Sequence, residues 1–74
     1  MGSMRKTLFE LAKEYVAVIE QIEKTIDPKK IHTLEEKRVQ LYGLWMDLLK
    51  EQGIAYRDRE HATKIAIKIT RGEL

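Results

Sequence analysis

Apolar residues recur at alternating spacings of three and four residues through the first third of the chain. The two series that result are Leu8, Leu11, Tyr15, Val18 and Ile22, and beside them Phe9, Ala12, Val16 and Ile19. These spacings place each series on one side of an α-helix and predict a helix from about Arg5 to Asp27. The combined apolar face is wider than a two-stranded coiled coil requires, so we expect this helix to contact partners on more than one side.

A second helix is predicted after Asp27-Pro28, because proline cannot continue a helical hydrogen-bond ladder and disfavours helical backbone in the residue before it. Thr33-Leu-Glu-Glu36 is a capping box, in which the threonine hydroxyl and the Glu36 carboxylate satisfy backbone N–H groups. We therefore predict that this helix begins at Thr33 and ends at Gly53, which suits a left-handed cap. Its apolar side is formed by Leu34, Leu41, Leu44, Trp45 and Leu48, flanked by Val39, Tyr42 and Leu49.

The last segment fits two kinds of structure. Residues 64–69, Lys-Ile-Ala-Ile-Lys-Ile, alternate as in a strand with one exposed face. A helical face is also present, formed by Ala62, Ile65, Ala66 and Ile69. We favour a helix, because Asp58 can cap its N-terminus and Lys68 and Arg71 lie near its C-terminus, just before Gly72. A lone strand would leave its edges unpaired unless a second chain covered them.

The predicted fold is all-α, an antiparallel helical hairpin followed by a shorter third helix. Residues 1–3 precede a second methionine, Met4, as a cloning remnant does, so we expect a single helical domain over residues 4–74. A chain of 74 residues without cysteine has a thin core and no disulfide or thiolate zinc site to stabilise it. We therefore expect a homo-oligomer, in the form of a dimeric helical bundle.

The composition excludes several classes of protein. With 43% apolar and 35% charged residues, one proline and four glycines, the chain is expected to fold. Its longest apolar runs are far shorter than the roughly 20 residues that span a bilayer, so we expect a cytoplasmic protein with no membrane partner. It contains no cysteine, no glycine-rich phosphate loop and no serine beyond Ser3. These absences predict no enzymatic activity, no cofactor and no metal site.

One spacing is compatible with metal chemistry. Asp58 and His61 are three residues apart, and helical di-metal sites use Glu-x-x-His elements. Those sites need two such elements and further carboxylates, whereas this chain offers one imperfect copy. We interpret Asp58 as a helix cap, His61 as a partly exposed residue, and His32 as a solvated residue of a turn.

The second helix carries more large apolar surface than two short neighbours can cover. Tryptophan, tyrosine and methionine are enriched at protein interfaces, and the predicted partner-binding residues are Tyr42, Trp45, Met46 and Leu49. For Trp45 the alternative is the centre of the domain's own core. The sequence therefore predicts a non-enzymatic interaction or regulatory module that self-associates and contacts another protein.

The alternative function rests on a row of basic residues, which we call the basic ridge. Its members follow one another at spacings of four, three, four and three, and are Arg57, His61, Lys64, Lys68 and Arg71. Such a row on one helix face can contact phosphates, where counterion release favours binding. The net charge is only +2, and acidic neighbours at positions 58, 60 and 73 dilute the ridge, so an ordinary solvated face is the competing interpretation. The alternative is thus a small nucleic-acid-binding protein.

Overall fold

The computed structural model describes residues 7–73, and within them it contains three helices and no strand. They are α1 (Leu8–Lys24), α2 (Pro28–Glu51) and α3 (Arg59–Thr70). The all-α prediction is confirmed. Residues 64–69 lie inside α3, so the choice of helix over strand is confirmed as well. The predicted remnant, residues 1–3, lies outside the described residues.

The first helix begins with a capping box that the sequence prediction overlooked. The Glu10 N–H donates to the Thr7 hydroxyl over 3.1 Å, and the Thr7 N–H donates to a Glu10 carboxylate oxygen over 3.0 Å. This reciprocal pair satisfies two backbone donors that a helix terminus otherwise leaves free. The described helix runs from Leu8 to Lys24 and so ends before the predicted Asp27. The predicted start at Arg5 lies outside the described residues.

The prediction that the second helix begins at Thr33 is wrong. Asp27 is the N-cap of α2, its carboxylate accepts the Lys29 N–H over 3.0 Å, and Pro28 occupies the first helical position. Proline is well suited to that position, because its missing N–H would have had no partner there. Thr33 lies one and a half turns further on, with its hydroxyl donating to the Lys29 carbonyl over 3.3 Å. The connection between α1 and α2 is correspondingly short, residues 25–27.

This reassignment makes a testable prediction about two alanine variants. Asp27→Ala removes the N-cap and should lower the free energy of unfolding by about 0.5–2 kcal/mol. Thr33→Ala should change it by less than about 0.7 kcal/mol, because alanine is the better helix former at an interior position. Urea denaturation of both variants measures the difference. A larger loss for Thr33→Ala than for Asp27→Ala would instead support a helix that begins at Thr33.

The second and third helices end in the same way, at Gly53 as predicted and at Gly72 as well. Both glycines have left-handed backbone, with φ of 71° and 72°. The N–H after each glycine reaches back into the helix, from Ile54 to the Leu49 carbonyl over 2.9 Å and from Glu73 to the Lys68 carbonyl over 2.8 Å. This Schellman arrangement satisfies carbonyls at the helix end and requires a residue that tolerates positive φ.

The first helix packs against both of the others. Its partner α2 runs antiparallel, since Tyr15 in the middle of α1 faces Tyr42, with ring centroids 6.0 Å apart, while Gln21 lies beside Leu34. Toward α3, the Tyr15 hydroxyl makes a hydrogen bond of 2.9 Å with the Thr63 hydroxyl. The predicted hairpin with an appended third helix is therefore the observed architecture.

The core lies where the three helices meet, and its largest fully buried side chains are Trp45, Tyr15 and Leu49. The molecule measures 37 × 33 × 21 Å, so its thinnest dimension is about two helix diameters. A two-layer body of this kind leaves the outer side of each helix uncovered. Leu44, which was predicted on the apolar side of the second helix, is 56% exposed for this reason.

Candidate functional site

Two of the four predicted partner-binding residues lie inside the chain's own core. Trp45 and Leu49 are fully buried. The Trp45 indole N–H donates to the Ala62 carbonyl of α3 over 2.8 Å, which satisfies its one polar group and ties α2 to α3. The interpretation of Trp45 as the centre of the core is therefore confirmed.

The other two, Tyr42 and Met46, are half-buried at the edge of the core. The Tyr42 ring lies near Tyr15, and the Arg59 guanidinium is 6.0 Å from its ring centroid. Partial burial raises the pKa of the Tyr42 hydroxyl, with a further contribution from Tyr15. Tyr42 thus presents a neutral, partly accessible ring beside the Arg59 cation. Met46 lies closer to the outer side of α2.

The outer side of α2 carries a row of residues that we call the outer stripe. Its members follow one another at spacings of three, four, three and four, and are Glu36, Val39, Gly43, Met46 and Lys50. Val39 is 58% exposed, and a methyl group added at Gly43 would meet no atom within 4 Å. From the sequence, Val39 was predicted beside the core and Glu36 in a capping box, and no role was predicted for Gly43 or Lys50. The same heptad spacing that predicts buried faces could have revealed this one.

A groove between α1 and α3 forms a second partly apolar surface. It has a volume of about 650 Å³, and its apolar lining includes Phe9, Val16, Ile19 and Ile67. Phe9 is 48% exposed, with the Lys13 ammonium 5.5 Å from its ring centroid. The two apolar series of α1 predicted partners on more than one side of this helix. The groove is where α3 covers the second of these series incompletely.

The basic ridge is brought together only in part. Lys64, Lys68 and Arg71 are exposed and line one shallow depression of about 270 Å³. Two carboxylates reduce its positive charge. Glu73 lines the same depression, and Glu60 lies 3.6 Å from the Lys64 ammonium. These three basic side chains form the continuous part of the ridge.

Arg57 and His61 at the start of the ridge have local structural partners. Asp58 caps α3 by accepting the His61 N–H over 2.8 Å. The Arg57 N–H donates to Nδ1 of the His61 ring over 3.0 Å, so a neutral ring carries its proton on Nε2. The Asp58–His61 spacing therefore belongs to a helix start. Among residues 7–73 there is no cluster of three or more side chains suited to a metal ion.

His32, predicted in a turn, lies within α2 because that helix begins earlier than expected. Its Nε2 is 2.8 Å from a Glu36 carboxylate oxygen one turn later, and both side chains are largely exposed. An exposed pair of this kind contributes little to stability.

Within the described part of the chain, no helix is both long enough and apolar enough to cross a bilayer.

Comparison of the chain with protein families, with curated proteins and with solved structures finds no match. Because fold alone does not imply function, the exposed surfaces of the three helices are what indicate the function of this protein.

Proposed function

We propose that this protein is a non-enzymatic helical interaction or regulatory module that acts through self-association and contacts with another protein. The observation that carries the proposal is the apolar surface left outside the core. Phe9, Val39 and Leu44 are 48%, 58% and 56% exposed, although each lies within a regular helix. A single exposed apolar residue needs no explanation, but these three occur on both helices of the hairpin.

The thinness of the fold supports the same proposal. A body 21 Å thick has two layers of helices, so neither outer side can be covered without a further element. Association with a second copy adds such an element and supplements a core that is small because the chain is short. The non-enzymatic part of the proposal is supported by the sequence, which has no cysteine and a single serine, Ser3.

Self-association predicts that stability depends on concentration. We expect sedimentation equilibrium at tens of micromolar to yield a mass of twice the 8.7 kDa chain or more. The melting temperature should fall on hundredfold dilution, because dissociation accompanies unfolding. One monomeric species with the same melting temperature at both concentrations would contradict self-association.

The second candidate is a small nucleic-acid-binding protein that uses the basic ridge. Three exposed cationic side chains along α3 and at its C-cap favour it, namely Lys64, Lys68 and Arg71. Each could contact a phosphate and release a counterion. Against it stand the carboxylates of Glu60 and Glu73 at the same surface and a net charge of only +2.

Because these carboxylates weaken the ridge, we expect no mobility shift of duplex or single-stranded DNA or RNA, even at low salt. Electrostatic binding is strongest under those conditions, so the experiment is a demanding one. A shift whose logarithmic affinity falls linearly with the logarithm of salt would favour the second candidate. In that case the Lys64→Glu and Lys68→Glu double variant should weaken binding uniformly across nucleic-acid sequences.

A further inference from the structure

The outer stripe of α2 combines apolar and oppositely charged residues in a symmetric order. Gly43 is at its middle, with Val39 and Met46 on either side of it and with Glu36 and Lys50 at its ends. Val39 is 58% exposed, the Glu36 side chain is 65% exposed, and Lys50 is exposed as well. The spacings of three and four keep all five residues on one side of the helix.

The packing of the single chain does not explain the glycine at the middle of this stripe. Gly43 lies well inside α2, where glycine destabilises a helix relative to alanine. A Cβ atom at this position would meet nothing within 4 Å, so no neighbouring element of the same chain requires its absence. Close approach by another helix is a setting in which a missing side chain is an advantage.

We propose that the outer stripe is the contact surface for a second copy of this chain, with the two α2 helices antiparallel and crossing at Gly43. This inference rests on the proposed self-association and specifies its surface. In this arrangement each Val39 packs against Met46 of the partner subunit around the glycine contact. A shallow crossing angle of about 20° keeps the helices adjacent over the length of the stripe.

The charges at the ends of the outer stripe determine the relative orientation of the two α2 helices and favour a second copy of the chain as the partner. Glu36 lies seven residues before Gly43 and Lys50 lies seven residues after it, which is about 10.5 Å along the helix in each direction. An antiparallel pair that crosses at Gly43 therefore brings Glu36 against the partner's Lys50, and twofold symmetry repeats this contact. A parallel pair would place Glu36 against Glu36 of the partner subunit, which is repulsive. The stripe is thus complementary to an inverted copy of itself.

Charge reversal tests the pairing directly by sedimentation equilibrium of the full chain. Glu36→Lys and Lys50→Glu each convert two attractive contacts into repulsive ones and should raise the dimer dissociation constant at least about tenfold. The double variant, Glu36→Lys with Lys50→Glu, restores both attractive contacts and should dimerise nearly as well as the unmodified protein. Lys37→Glu is the matched control, because this exposed lysine of the same helix lies outside the stripe.

Gly43→Ala gives a second measurement that does not depend on charge. The substitution should raise the melting temperature of the dilute, monomeric protein, because alanine favours the helix. It should at the same time weaken dimerisation, because the added methyl groups meet at the crossing point. A Gly43→Ala protein that failed to fold would instead lose both its thermal transition and its ability to dimerise.

The outcomes separate this inference from the proposed function. An unmodified protein that stays monomeric at tens of micromolar overturns both. A dimer that is unaffected by Glu36→Lys and Lys50→Glu overturns the inference and leaves self-association in place. The inference is also overturned if Lys37→Glu weakens the dimer as strongly as Lys50→Glu does, because the interface then lies elsewhere on α2.

Discussion

Trp45→Ala should lower the free energy of unfolding by about 3–5 kcal/mol. The indole is fully buried where the three helices meet, so its removal leaves a cavity that short helices fill poorly. The substitution also deletes the 2.8 Å hydrogen bond to the Ala62 carbonyl. A chain of 74 residues is expected to have a total stability of only about 4–11 kcal/mol, so this substitution removes a large fraction of it.

Urea denaturation followed by circular dichroism measures this loss. Trp45→Phe is the companion variant, because it keeps an aromatic ring in the cavity while removing the N–H donor, and it should retain a cooperative transition. If Trp45→Ala left the unfolding midpoint unchanged and abolished self-association instead, Trp45 would belong to a recognition surface and not to the core.

The second large effect is expected at Leu49, where an exact chemical control is available on the same helix. Leu49→Ala should cost about 2–5 kcal/mol, because the side chain is fully buried. Leu44→Ala deletes the same atoms from a side chain that is 56% exposed and should cost less than about 0.5 kcal/mol in the monomer. The contrast between the two variants measures burial directly.

Thermal unfolding at low and high protein concentration distinguishes core from interface for this pair. The loss for Leu49→Ala should be the same at both concentrations. A loss for Leu44→Ala that appears only at high concentration would place Leu44 in a contact between copies, because only an associated state depends on concentration. Equal losses for the two variants at low concentration would contradict the observed orientation of α2.

Features that depend on a few neighbouring residues could be predicted from the sequence. Asp58 caps α3 and Gly53 adopts left-handed backbone just beyond α2, as expected. The helical state of residues 64–69 was also predictable. Their apolar pattern fits both a strand and a helix, and the cap and the charges near the ends of the segment favour the helix. Such signals act within about one turn and need no tertiary contact.

Local signals failed where two of them competed for one helix start. Asp27-Pro28 and the capping box that begins at Thr33 are both typical of a helix N-terminus. The second helix begins at Asp27-Pro28. The extra turn and a half buries part of Ile31 and positions Leu34 against the core. Helix stability in proteins comes mainly from packing of this kind, which a capping motif does not reveal.

The sequence by itself determined the number of helices, the N-cap of α3 and the identity of the residues able to form a core. Only the tertiary structure decided which apolar residues the core contains. Trp45 and Leu44 are neighbours on α2, yet one is fully buried and the other is 56% exposed. The reason is physical: periodicity defines a broad apolar face, but the positions of α1 and α3 select the part of it that is covered. The same selection leaves Val39 and Gly43 on the outside, where they form the surface proposed to bind a second copy.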